Sequence, residues 1–241
     1  MKPVVCFLPC CSRKEATGNL INASTALSER ELPKTFHLLE KGRQKIKDIS
    51  SQTDSKISFK LDSPLTSALF LYKGVFYQQL NKRGIIGEIQ SNRLRLFILS
   101  AGYGIVDAFE PLQYYDAELK GKVAKHWKEY ELEEIICELL LTLEPKYVFG
   151  FFAGSEAWSD PGAKYRYFFV EGLYKAIGKD LNAELSGCFF RQSGLGTTQI
   201  LGSLGRTFMD LLRGGFSESI VSRIAFNSRL YGTTEISFKR K

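Results

Sequence analysis

Asp107, Glu110 and Asp116 stand within ten residues of one another in the stretch FILSAGYGIVDAFEPLQYYD, residues 97–116. A carboxylate at the rim of a sheet can hold an attacking water or stabilise a cationic sugar in a transition state. Tyr103, Tyr114 and Tyr115 accompany the acids and could form the walls of a base pocket, with Ser100 at the end of the preceding apolar run. Gly102 and Gly104 permit a tight turn and a close backbone approach to a ligand. The G-x-G lacks the third glycine of a dinucleotide fingerprint. Each acid also has a structural explanation: Asp107 as a turn cap, Glu110 as an exposed residue, Asp116 as a helix N-cap.

Positive and polar groups that suit phosphate lie elsewhere. PCCSRKEATGN follows an apolar run and offers backbone amides with Ser12, Arg13 and Lys14. In SALFLYKGVFYQQL, Tyr72 and Phe76 are four apart, as core residues or as a stacking platform, and Lys73 faces elsewhere. RQSGLGTTQILGSLGR places Arg191, Ser193 and Thr197 at a glycine-rich helix start, without the GK[ST] of a P-loop. Lys164 and Arg166 interleave with Tyr165 and Tyr167, a pattern shared by nucleic-acid surfaces and ordinary charged edges. Glu156 and Trp158 follow a further apolar run. Cys6, Cys10 and Cys11 lack four-ligand zinc spacing, and no metal or cofactor is expected.

These groups need a scaffold. Residues 3–9, 93–100, 146–154 and 186–192 are short apolar runs that read as buried strands. Between them, helical spacing covers Leu32–Ser50, Ser63–Arg83, Lys122–Leu143 and Gly194–Leu212, while residues 50–60 are polar and read as a loop or insertion. Strands alternating with helices predict one three-layer α/β domain over residues 1–241, its central sheet mostly parallel and flanked by helices. Segment 18–60 is expected to be an insertion or helical decoration. In such sheets ligands bind beyond the carboxyl ends of strands, where PCCSRKE, SAGYGIVDAFE and AGSEAW would converge.

The 241 residues carry a net charge of +7, which favours polyanionic partners. The five cysteines, an odd number, read as reduced thiols. The apolar run at the N-terminus is too short for a secretory signal and none is long enough to span a bilayer, so a cytoplasmic protein without a membrane partner is expected.

Taken in order, CCSRKE, LFLYKGVF, the ILSAxxGxxD…YYD segment and GLGTTQILGSLG resemble the YaaA-like superfamily. Relatives of that group have a uracil-DNA-glycosylase-like core, and one branch is implicated as anti-phage DNA glycosylases that remove hypermodified bases. The resemblance covers residues 3–15, 65–80, 94–119 and 187–213. It points to Ser12, Lys14, Tyr72, Ser100, Tyr103, Asp107, Tyr115 and Asp116. Two departures matter: Gly102 stands where the family has lysine, and Tyr114 where it has proline.

The activity this implies is hydrolysis of the N-glycosidic bond of a modified base, such as glucosylated hydroxymethylcytosine in phage DNA. Asp116 would be the catalytic carboxylate with Asp107 second. Ser100, Tyr103, Tyr114, Tyr115 and Tyr72 would line the base pocket, and Ser12, Arg13, Lys14, Lys73 and Arg191 would hold DNA. Two other classes compete: a non-catalytic DNA-binding stress-response protein, and an enzyme acting on free nucleotides.

Overall fold

The apolar run VVCFLP forms a strand, β1 (Val4–Pro9), buried at every position, as a strand covered on both faces must be. The computed structural model describes residues 2–21, 26–51, 57–154, 156–158, 164–194 and 196–241. After β1 come α1 (Phe36–Ser50), β2 (Ser58–Lys60), β3 (Thr66–Ser67), α2 (Ala68–Leu71), α3 (Val75–Gln78) and α4 (Lys82–Gln90). The middle of the chain holds β4 (Leu94–Ser100), β5 (Gly104–Asp107), β6 (Pro111–Leu112), β7 (Tyr114–Asp116), α5 (Gly121–Glu129) and α6 (Leu132–Leu143). The last part is β8 (Tyr147–Phe151), α7 (Tyr165–Ile177), β9 (Leu185–Ser193), α8 (Thr197–Arg213), α9 (Glu218–Phe226), β10 (Arg229–Tyr231) and β11 (Thr234–Arg240).

Seven strands form the main sheet in the order β10-β11-β9-β8-β1-β4-β5. β1 runs parallel to β4 and β8, and β8 parallel to β9. The other three pairings, β4 with β5, β9 with β11 and β10 with β11, are antiparallel. The sheet is therefore mixed, which corrects the expectation of a mostly parallel one. The physical reason lies in the connections. A turn of three residues joins β4 to β5, too short for a crossover, so the strand must double back. The basic C-terminus likewise folds as a hairpin through Gly232, whose φ is +63°.

Helices cover both faces. Phe7 packs on Phe169 of α7, and Gly150 lies under the same ring. Phe151, one pleat further, faces Phe76 of α3 and Phe208 of α8. This alternation along β8 divides the core into two layers of side chains.

Two expected helices are broken. Residues 63–83 give β3, α2, α3 and the start of α4, the first break falling where Tyr72 and Gly74 are extended. The backbone there bonds to the loop after β1 instead: Lys73 N–H donates to Arg13 O and Glu15 N–H to Leu71 O. Residues 122–143 divide into α5 and α6 at Glu131, whose φ is +53°. The stretch 50–60 contains β2, which pairs with β7. Within segment 18–60, α1 packs on α5, α6 and β5. Among the described residues no helix is long and apolar enough to cross a membrane.

Candidate functional site

β1 is the point where the sheet order reverses: the chain leaves it for β4 on one side and later returns to β8 on the other. The crevice beyond such a strand is where open α/β sheets bind ligands. Cys10 extends β1, its N–H donating to Leu99 O at 2.9 Å. The loop Cys10–Lys14 then lies along Tyr72 and Lys73, with Lys14 bridged to Tyr72. Gly74 makes this approach possible, since a Cβ there would stand 2.8 Å from the Cys11 Cβ.

The end of β4 supplies the next wall. Ser100 Oγ donates to Tyr115 Oη at 2.9 Å and accepts the Tyr103 N–H at 3.0 Å. The Tyr72 and Tyr115 hydroxyls are 3.0 Å apart. Gly102 is required here, because a Cβ would come within 2.6 Å of the Tyr115 ring. The ring of Tyr103 meets that of Tyr115 edge-on and Phe59 stacks on it. On the other side of the loop, the Tyr165 hydroxyl and Cys10 Sγ are 3.0 Å apart.

Lys14 completes the cluster. It is 8 % exposed and its Nζ lies 4.2 Å from the centroid of the Tyr115 ring. That ammonium is buried and, among the described residues, has no hydrogen-bond partner. Contact with an aromatic face offsets only part of the cost of burying a charge. Burial pushes the phenols of Tyr72, Tyr115 and Tyr165 well above their ordinary range, with Cys10 adding to each shift. Tyr103 is pushed up to about 12, again chiefly by burial. These hydroxyls stay protonated near neutrality. The arrangement can donate hydrogen bonds and offer one positive charge to a ligand rich in acceptor oxygens.

The carboxylates lie apart from this cluster. Asp107, 1 % exposed, pairs with Arg95 at 3.3 Å and caps the Phe109 N–H at 2.9 Å. Glu110 is buried too, against Arg43 at 2.9 Å, so the expectation that it is exposed does not hold. Burial nonetheless pushes the Glu110 carboxyl up, outweighing the guanidinium beside it. Asp116 is exposed on β7. Because Tyr115 points inward, strand alternation turns Asp116 the other way.

Of the expected pocket residues, Ser100, Tyr103, Tyr115 and Tyr72 come together. Tyr114 is turned outward beneath Lys60, whose Nζ is 4.7 Å from its ring. Ser12 and Arg13 stand exposed on the loop, and Lys73 pairs with Glu15 at 3.5 Å. Arg191 is exposed at the end of β9, where it donates to Gly194 O. Lys164 and Arg166 are buried rather than displayed: Lys164 donates to backbone carbonyls of Ala157 and Trp158, and Arg166 pairs with Glu156 at 2.7 Å. Cys10 and Tyr165 join the cluster without having been singled out by the motifs. Helical spacing over residues 165–177 is the available signal for Tyr165.

A second feature is positive. α1 and α5 pack together, His126 Nε2 meeting Gly42 O at 2.9 Å. Lys41 and Lys45 of α1 and Lys122 and Lys125 of α5 are exposed beside this contact. Of the acids nearby, Glu40, Glu118 and Glu133 are engaged by Arg43, Lys120 and Lys128, while Glu129 is exposed on α5, four residues from Lys125. Among the described residues the four lysines have no ion-pair partner of their own.

No curated protein matches the sequence. A family model does, over residues 9–140, from the last residue of β1 into α6, which takes in the loop of Lys14, the strands carrying Ser100 and Tyr115, and both lysine-bearing helices. The match covers more than half of the chain, which belongs to the family of the peroxide stress protein YaaA.

Proposed function

We propose that this protein serves the peroxide-stress response by binding DNA, not by reducing peroxide itself. The observation that carries this reading is the α1–α5 face, where Lys41, Lys45, Lys122 and Lys125 have no ion-pair partner among the described residues. Such lysines can release counterions from a phosphate backbone. Four of the five thiols speak against peroxide reduction. Burial pushes Cys6, Cys11, Cys137 and Cys188 up, the last to about 11. A peroxide-reducing cysteine needs the opposite shift, toward the thiolate.

Fluorescence anisotropy with a labelled duplex, over a range of salt, tests this. Replacing the four lysines by glutamine should weaken binding strongly. It should also flatten the log–log salt dependence by about 0.9 for each phosphate no longer neutralised. Unchanged affinity in that variant would remove the lysine face from the binding surface.

A second reading, excision of a modified base from phage DNA on a uracil-DNA-glycosylase-like core, draws support from the Lys14–Tyr72–Ser100–Tyr115 cluster at the carboxyl edge. There the buried amine and hydroxyls would face a flipped base, whereas Asp116 is exposed on the opposite face of β7, so the carboxylate role would require a substrate that reaches both faces. Mass spectrometry of bases released from unmodified, hydroxymethylated and glucosylated DNA decides it. Release that survives Asp116→Asn would take the catalytic role away from Asp116.

A further inference from the structure

The glycine-rich start of α8 borders a second groove, of about 660 Å3, within the size range of small-molecule sites. Val75 and Gln79 form one wall, Thr198, Gln199 and Arg206 of α8 another, and the β10–β11 turn, Tyr231–Thr234, closes it. Gly202 is the floor: a Cβ there would meet only Val75 at 3.4 Å and Arg206 Nη1 at 3.7 Å, so the space above it is open. Gly205, one turn on, has a different task, because a Cβ there would stand 2.7 Å from Phe76 O. One glycine therefore seats α8 on α3, and the other leaves room.

Arg206 gives the groove its charge. Its guanidinium lies over the Tyr231 ring at 5.2 Å, and Nη2 donates to Ser203 Oγ at 3.0 Å. Among the described residues it has no carboxylate partner. The nearest acid along α8, Asp210, is taken by Arg229 at 2.9 Å, by Arg213 and by the Tyr231 hydroxyl. Stacking and the Ser203 bond hold the fork in place, which lowers the entropy cost of binding. Thr234 also lines the groove, and among the described residues its buried Oγ1 has no hydrogen-bond partner.

We infer that this groove is a phosphate subsite, holding the phosphate of a nucleotide or of a nucleic-acid strand on Arg206, with Thr198 and Gln199 along the same wall. It is distinct from the Lys14 cluster and does not depend on the lysine face. The hydroxyls of Thr198, Thr233 and Thr234 and the amides of Gln79 and Gln199 surround the charge with neutral hydrogen-bonding groups, which suits a tetrahedral oxyanion approached from several directions.

Isothermal titration calorimetry of the full chain with inorganic phosphate, adenosine 5′-monophosphate and a four-nucleotide single strand tests the inference. The wild-type protein should bind at least one of the three. Arg206→Gln should weaken that binding about tenfold, the scale of one hydrogen bond to a charged group. Gly202→Leu, which fills the groove while favouring the helix, should abolish it with an unchanged melting temperature. The variant lacking Lys41, Lys45, Lys122 and Lys125 should retain mononucleotide binding, which separates this subsite from the DNA face. Binding of the mononucleotide alone identifies a free nucleotide as the source, and tighter binding of the strand identifies nucleic acid. No binding of any probe by the wild type, or equal binding by wild type, Arg206→Gln and Gly202→Leu, would overturn the inference.

Discussion

Two polar clusters are buried along β4, and they are built on opposite principles. Around Arg95, charge meets charge. Asp107 pairs with that guanidinium, and Glu110 pairs with Arg43. Arg43 also donates to the carbonyls of Tyr103 and Ile105. At the carboxyl end of the same strand, Lys14 lies over the Tyr115 ring, and among the described residues its ammonium has no hydrogen-bond acceptor. The first cluster is complete as it stands. The second contains a donor that the protein alone does not satisfy, an arrangement that costs free energy unless something else supplies the acceptor. The comparison separates acids that hold the fold together from a lysine free to meet a ligand.

The largest effect should come from breaking the complete cluster. Asp107→Ala leaves Arg95, whose side chain is 18 % exposed, without its partner and removes the cap on Phe109. Losing one member of a buried pair typically costs about 3–5 kcal/mol, so the urea midpoint should fall far below that of the wild type. A loss under about 1 kcal/mol, the scale of exposed pairs, would show that the water reaching Arg95 already replaces its partner and that the two clusters are less different than their geometry implies.

Part of this contrast is legible in the sequence. The strands at residues 3–9 and 93–100 and the carboxyl-edge position of Ser100 and Tyr103 follow from apolar runs ending in small residues. Tyr72 and Tyr115 stand in motifs that mark them as pocket residues. What the sequence does not carry is pairing. Asp107 has its partner Arg95 twelve positions back, on the adjacent strand, and Glu110 has Arg43 across on α1. Neither relation leaves a periodic trace. Lys14 and Arg13 are adjacent and chemically alike, yet one is buried and the other exposed, because the bridge to Tyr72 turns their side chains to opposite sides. The break at Tyr72–Gly74 is hidden for a related reason. The apolar spacing of residues 63–83 fits a helix, but backbone bonds to the loop after β1 override it.

The incomplete cluster should answer in the opposite direction. Lys14→Met keeps the length of the side chain and its contact with the Tyr115 ring while removing the unsatisfied charge. Stability should be unchanged or rise by about 1 kcal/mol, seen as a melting temperature at or above that of the wild type. A destabilisation as large as that of Asp107→Ala would break the comparison, by showing that the fold itself depends on the Lys14 charge. A melting temperature at or above the wild type would instead leave ligand affinity as the property that lysine serves.

Lys82 gives the smallest effect and sharpens the same point at a half-exposed position. Its amine lies 5.2 Å over the Phe70 ring, and its pKa is pulled down to about 8, by burial first and by nearby Lys73 second. An unfolded lysine titrates near about 10.4. Between these values the unfolded chain binds more protons than the folded one, so stability should rise as pH increases from about 8 toward about 10.4 and level off above. Below that window both states are protonated and the folded form carries a constant penalty, kept small by the water that reaches the amine. Lys82→Met should flatten this contribution in denaturation curves taken across the alkaline range. A Lys82 amine that titrates by NMR near the ordinary lysine value would show that water near Phe70 already relieves the charge. Unrelieved burial of an amine would then belong to Lys14, with its closed walls, and not to aromatic contact in general.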